Sequence, residues 1–161
     1  MKTLNDLFEH HLKDLYSAEN QLLEALPKAH KKASDRMLKE IFENHLQETK
    51  EHKKRLEDIC ESLNISAKGE TCKAMKGLIT EAESFMEEAN HKDVMDAGLI
   101  AQAQRLEHYE ITGYGTAVRY AKELGHADIA KELQKTLDQE HNADDTLNKL
   151  AESRINKKAI G

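Results

Sequence analysis

Acidic and imidazole side chains occupy positions in this chain where helical periodicity calls for leucine. Four stretches carry residues at the i, i+3, i+4, i+7 spacing by which a helix faces a core. The first reads Leu12, Leu15, Glu19, Leu22, Leu26, and the second Leu38, Ile41, His45, Glu48, His52, Leu56, Ile59, Leu63. The third reads Ile100, Ala103, Glu107, Glu110, Tyr114, Ala117, Ala121, and the fourth Ile129, Leu133, Leu137, Glu140, Asp144, Leu147, Ala151. Each stripe is apolar at both ends and acidic in the middle. Moving a bare carboxylate into a low-dielectric core costs on the order of tens of kcal/mol in the idealised limit, and no Lys or Arg lies on these stripes near that level. Divalent cations are the most direct compensation. Oxygen ligands with one or two imidazoles suit iron or manganese, and Glu side chains projecting inward from four helices build a di-metal carboxylate centre.

The metal-ligand candidates are Glu19, Glu48, Glu107, Glu110 and Glu140, with the shorter Asp144 as a further member. In an antiparallel hairpin, residues at one level have numbers of constant sum. Glu19 and Glu48 meet that condition around a turn at 33–34, as do Glu110 with Glu140 and Glu107 with Asp144 around Gly125. His45 and His52 flank Glu48 at i−3 and i+4, so all three share one face. Either histidine is a ligand or a group that orients a carboxylate. Tyr16 and Tyr114, one turn from Glu19 and Glu110, are placed to hydrogen-bond those carboxylates or to pack in the core. His10 and His11 fall on the surface, and His108 and His141, one residue from candidate ligands, point elsewhere. Cys60 and Cys72 form no C-x-x-C pair, so a rubredoxin-type iron site is absent and they either approach each other or pack.

The elements that must carry these residues are helices. The chain has 161 residues, 39% apolar and 34% charged, with one Pro, seven Gly and no Trp, a composition that suits long helices and not a turn-rich β-sandwich. Periodicity and breakers predict helices over 3–33, 35–63, 72–89, 93–124 and 127–151. Pro27 is a candidate kink, Ser34-Asp35 a candidate N-cap and Gly125 a C-terminal stop. The four long helices each span roughly 40 Å at 1.5 Å per residue. The turns near Ser34 and Gly125 make two antiparallel hairpins, and the long connection carrying the short third helix can run back along the bundle. The expectation is an all-α four-helix bundle with one crossover, forming a single domain over 1–155 with a flexible tail at 156–161.

A net charge of −6 with intermixed Lys, Arg, Asp and Glu lacks the basic stripe that nucleic acid requires. No stretch approaches the apolar length of a membrane span, and the charged N-terminus is unlike a signal peptide. Two cysteines make no disulfide framework, which points to the cytoplasm.

The segments DLYSAENQLLEALPK (14–28), HLQET (45–49), LIAQAQRLEHYEITGYGTA (99–117), AKELGH (121–126) and TLDQEHNADDTL (136–147) resemble the YciE/YciF-type bacterial stress proteins of the ferritin-like superfamily. The resemblance covers nearly the whole chain. It implies a ferritin-like bundle, a homodimer, a di-iron site and a role in stress responses. The metal ligands it implies are Glu19, Glu48, Glu107, Glu110 and Glu140, with His45 and Asp144 in the same motifs. Better-understood ferritin-like enzymes place Glu-x-x-His on the second and last helices, whereas here Glu51 follows Glu48 and Ala143 follows Glu140 at that spacing. His45-x-x-Glu48 reverses the order.

The leading expectation is therefore a protein holding two iron ions per chain, with manganese as the alternative, that reacts with peroxide or dioxygen or handles metal during oxidative stress. The competing expectation is a non-catalytic helical stress protein working through dimerisation or partner binding. Its signature would be an exposed apolar stripe at Leu78, Ile79, Phe85 and Met86. Iron storage in a hollow shell is a third and weaker reading.

Overall fold

A computed structural model describes residues 1–161. The chain forms α1 (Leu4–Lys32), α2 (Arg36–Ser62), α3 (Lys73–Glu88), α4 (Lys92–Glu123) and α5 (Ala127–Leu150). Each boundary has a local cause. Thr3 caps α1 in a reciprocal box with Asp6, and Asp35 caps α2 by accepting from the backbone N–H groups of Met37 and Leu38. The Cys72 thiol caps α3 at Met75 N. α4 is terminated just before Gly125, whose φ of +77° is the left-handed conformation glycine adopts without strain. Pro27 lies on the exposed side of α1, which stays continuous to Lys32.

The bundle is all-α. α1 packs on α2 and α4, and α5 on α4 and α2, while α3 lies across α1 and α4 as the crossover. Gly98 admits α3 to this position, because a Cβ there would lie 1.8 Å from the Phe85 ring. Leu78, Ile79 and Phe85 are half-buried against the bundle's own core, and Met86 is buried in it. The apolar stripe expected to stand open on α3 is thus covered by its own chain.

The C-terminal end departs from the sequence reading. Helix does not stop at residue 151. It passes through a π turn at Ala151–Ile155 into α6 (Asn156–Lys158). Ile155 is buried in the core, and Arg154 grips both Asp35 oxygens, with Nη2 at 2.8 Å from Oδ1. On the other side of the same turn, the buried Asp96 of α4 accepts from Ser34 N at 2.7 Å and Asp35 N at 2.9 Å. The α1–α2 turn is therefore tied to α4 and to the end of α5.

Two apolar clusters fill the bundle ends. One contains Leu22, Leu26, Leu38, Phe42, Leu99, Ile100, Leu147 and Ile155. The other contains Phe8, Leu12, Leu15, Leu56, Ile59, Tyr114, Ala117 and Leu133. The polar residues lie between them.

Hydrogen bonds from Arg154 are the leading cause holding the Asp35 carboxyl below its usual range. A lowered native value stabilises the fold above the unfolded carboxylate value of about 3.9, and that contribution is lost as pH falls through the native value. Asp35→Asn keeps the cap and removes the charge. Its thermal midpoint should lie about 2–4 °C below wild type at pH 7, since solvent screens the half-exposed Arg154. Thermal scans from pH 7 to pH 3 should show that gap closing in acid.

Candidate metal centre

The four long helices converge their mid-length polar residues on one buried point. Ligand-capable atoms of His45, Glu107, Glu110 and Glu140 all lie within 4.8 Å of one another, and so do those of Glu19, His52 and Glu140. Glu140 belongs to both groups. Glu19, His52, Glu110 and Glu140 have no solvent exposure, and His45 and Glu107 have 4% and 3%.

Within this cluster His52 Nδ1 lies 3.0 Å from Glu140 Oε1 and 3.4 Å from Glu19 Oε1. These are charge-pair distances whose direction does not make aligned hydrogen bonds. His45 Nε2 lies 3.5 Å from Glu107 Oε1. Tyr114 donates to Glu19 Oε1 and stacks edge-on against His52. Nine buried side-chain atoms have no hydrogen-bond partner: Glu19 Oε2, His45 Nδ1, Thr49 Oγ1, His52 Nδ1, Glu107 Oε2 and both oxygens of Glu110 and Glu140. Eight belong to the six residues of this cluster, and the ninth, Thr49 Oγ1, lies between its two histidines on α2.

Electrostatics agree with the geometry. Burial and the neighbouring Glu140 push Glu107 well above the normal carboxyl range, and burial with Glu140 and Glu19 does the same to Glu110. Burial opposes charge on His52, but Glu140 and Glu19 outweigh it and hold the imidazole up to about 10. Burial likewise opposes charge on Glu140, and His52 and His45 overcome it, drawing Glu140 down to about 2. Without a cation, Glu107 and Glu110 hold their protons, while His52 and Glu140 face each other as a charged pair.

Six residues form the buried cluster: Glu19, His45, His52, Glu107, Glu110 and Glu140. Glu48 and Asp144 stand outside it. Glu48 is 31% exposed, with its nearest approach to the cluster at 3.7 Å from His45 Nδ1. Asp144 accepts from Gln104 Nε2 at 3.0 Å and pairs with the exposed His108 at 3.0 Å. The cause is helical phase. The buried positions of α2 are Leu38, Phe42, His45, Thr49, His52, Leu56 and Ile59, so Thr49 takes the inward place between the histidines. On α5 they include Leu133, Thr136, Glu140, Ala143 and Leu147, so Ala143 faces inward and Asp144 sits beside it.

The tyrosines divide. Tyr114 meets a cluster carboxylate, though that carboxylate is Glu19 and not Glu110, while Tyr16 donates to Glu57 at 2.9 Å, away from the centre. Tyr109 bonds Asp14 and the Cys72 sulfur. Both cysteines are buried free thiols, packed in different apolar clusters. His11 is half-buried, bonding the Gly113 carbonyl at 2.9 Å, while His10 is exposed.

A family model described as Domain of unknown function (DUF892) matches residues 3–160. The chain belongs to this family, the YciE/YciF-type proteins. It is 44% identical to Protein YciF of Escherichia coli over 160 residues, covering 99% of this chain and 96% of that one. The crystal structure of that relative, described as a stress protein, superposes with a TM-score of 0.93 over 98% of this chain and 99% of the other. YcfI of Rhodopseudomonas palustris, provisionally assigned a structural role, is 41% identical, with a TM-score of 0.90 over 92% of this chain and 94% of that one. A protein from Xanthomonas campestris at 20% identity, TM-score 0.73, covers 93% and 91% of the two chains and shares the fold. No helix is long and apolar enough to cross a membrane.

Replacing one unpartnered carboxyl by a similar-sized apolar side chain should relieve the metal-free protein. Glu110→Leu is expected to raise metal-free stability by about 1–4 kcal/mol and to abolish any rise in thermal midpoint on adding Mn²⁺. Glu48→Leu, at the rim, should change the metal-free midpoint little. Parallel melts of both variants, with and without the ion, test the boundary drawn between centre and rim.

Proposed function

We propose that this chain is a ferritin-like protein whose buried Glu/His cluster holds two metal ions, iron foremost and manganese as the alternative, and that it protects against peroxide or handles metal under oxidative stress. The observation that carries this reading is the set of eight unpartnered polar atoms on the six Glu and His residues at the join of four helices. Buried polar groups are satisfied in the great majority of native structures. A concentration of unpartnered atoms in one place, six of them carboxylate oxygens and none from Lys or Arg, fits cations.

The donor set divides into two unequal halves around Glu140. His45, Glu107 and Glu110 complete one group, and Glu19 and His52 the other. Four carboxylates and two imidazoles match the ligand count of bundle-borne di-metal sites, and mixed oxygen and nitrogen donors suit iron and manganese. A ferrous pair would supply the electrons for reducing peroxide or dioxygen. The protein's part is to hold the donors, with Tyr114 fixing Glu19, and to close the centre between two apolar clusters. A homodimer in the cytoplasm is part of the same reading.

Protein produced in iron- or manganese-supplemented medium should carry about two metal ions per chain by elemental analysis, and the ferrous-loaded form should consume peroxide. Anomalous scattering at the iron edge from a crystal soaked in ferrous iron should place both ions among Glu19, His45, His52, Glu107, Glu110 and Glu140. Purified protein that holds no metal and cannot be reloaded would sink the reading. Solution mass, measured on the same preparation, checks the dimer.

A further inference from the structure

His52 has two ring nitrogens that face different worlds. Nδ1 looks into the cluster, toward Glu140 and Glu19. Nε2 looks outward and lies 3.1 Å from Gln139 Oε1, on α5. That same amide oxygen accepts from Arg55 Nη1 at 3.3 Å, and Arg55 Nη1 also donates to Thr136 Oγ1 at 2.5 Å. Glu132 lies 3.7 Å from Arg55 Nε, so the guanidinium is held from both sides.

A guanidinium only donates, which decides which end of the Gln139 amide faces it. With its oxygen turned to Arg55, Gln139 presents that oxygen to His52 as well. An amide oxygen only accepts, so the ring nitrogen opposite it must carry the proton. We propose that Arg55 and Gln139 are positioning residues that pin a proton on His52 Nε2 and thereby keep Nδ1 as the nitrogen offered to the buried cluster. The proposal deepens the metal reading by naming the atom through which His52 acts, and its first test is independent of metal. His45 has no such guide: its Nε2 lies 3.5 Å from Glu107 and its Nδ1 3.7 Å from Glu48, both carboxylates. Of the two imidazoles, His52 alone has its ring orientation dictated by a neutral acceptor.

Nitrogen-15 histidine labelling of the metal-free wild-type protein reads the state of His52 Nε2. That nitrogen should carry a proton hydrogen-bonded to the Gln139 amide oxygen, and an Nε2 without a proton, or with one that is not hydrogen-bonded, overturns the proposal without any variant being made. Gln139→Leu removes the acceptor at similar size, and the Nε2 proton should lose its hydrogen bond and exchange faster with solvent. Gln139→Glu keeps an acceptor in place and should leave the Nε2 proton hydrogen-bonded. With Mn²⁺ as the probe, Gln139→Leu should bind about 10–100-fold more weakly, while Gln139→Glu stays close to wild type. Equal weakening in both variants, or in neither, overturns the assignment. Wild-type protein that keeps its Nε2 proton yet binds no Mn²⁺ supports the positioning role and defeats the metal reading, so the two fail separately.

Discussion

Carboxylates enclosed by apolar walls dominate the physics of this molecule. Four glutamates from three helices and two histidines from a fourth meet in a space without solvent, and most of their inward atoms have no partner. Desolvation on that scale opposes folding. The apolar clusters on either side supply the opposing term. Leu and Phe side chains at one end, and Leu, Ile and Tyr at the other, are almost wholly buried, and each such side chain contributes about 1.5–3 kcal/mol relative to exposure. A long bundle is a suitable answer, because its ends can be made uniformly apolar while the middle carries the polar groups. The cost is local and the compensation distributed, the pattern expected where function is maintained against stability.

Much of this arrangement is legible in the sequence. The four stripes, apolar at the ends and acidic in the middle, predict both the bundle and the height of the cluster, and Glu19, His45, Glu107, Glu110 and Glu140 fall where the stripes place them. Glu48 and Asp144 lie beside the inward line and not on it. A stripe allows steps of three or four, and a choice of one residue swings a side chain by about 100°. A strict alternation of those steps removes the freedom. From Leu38 it runs through Phe42, His45, Thr49 and His52 to Leu56, and on α5 it joins Leu133, Thr136, Glu140, Ala143 and Leu147. That regular heptad selects Thr49 over Glu48, Ala143 over Asp144, and His52 as a full member of the cluster.

Other features have no local signal. The Asp96 carboxylate that ties the α1–α2 turn is 61 and 62 residues away from its partners, and Arg154 reaches Asp35 across 119. Nothing in the residues around Asp96 or Arg154 announces those contacts, and SRINKKAIG reads as a charged tail until Ile155 is seen to be buried. The Gln139–Arg55 pair is invisible for a similar reason. Both residues look like ordinary solvated polar positions, and only the antiparallel register of α2 against α5 brings them to the outer nitrogen of His52.

The departure from Glu-x-x-His takes a different meaning once the register is known. In the arrangement usual for bundle-borne di-metal sites, two helices each give one Glu and two each give a Glu and a His. Here α2 gives both imidazoles, seven residues apart and on one face, and no carboxylate to the buried cluster; α4 gives Glu107 and Glu110, while α1 and α5 give Glu19 and Glu140. The totals are unchanged at four carboxylates and two imidazoles. What moves is the carboxylate of the second helix, whose place between the histidines is filled by Thr49, while α4 carries an extra one in return. A change confined to the donor's helix of origin leaves the charge and donor chemistry of the set as they were, of the kind that suits hard, oxygen-seeking cations that tolerate nitrogen. It alters how the two halves respond to motion. Because His45 and His52 ride on one rigid helix, any displacement of α2 moves a nitrogen in both groups together, and Glu140, shared by both, couples them a second time.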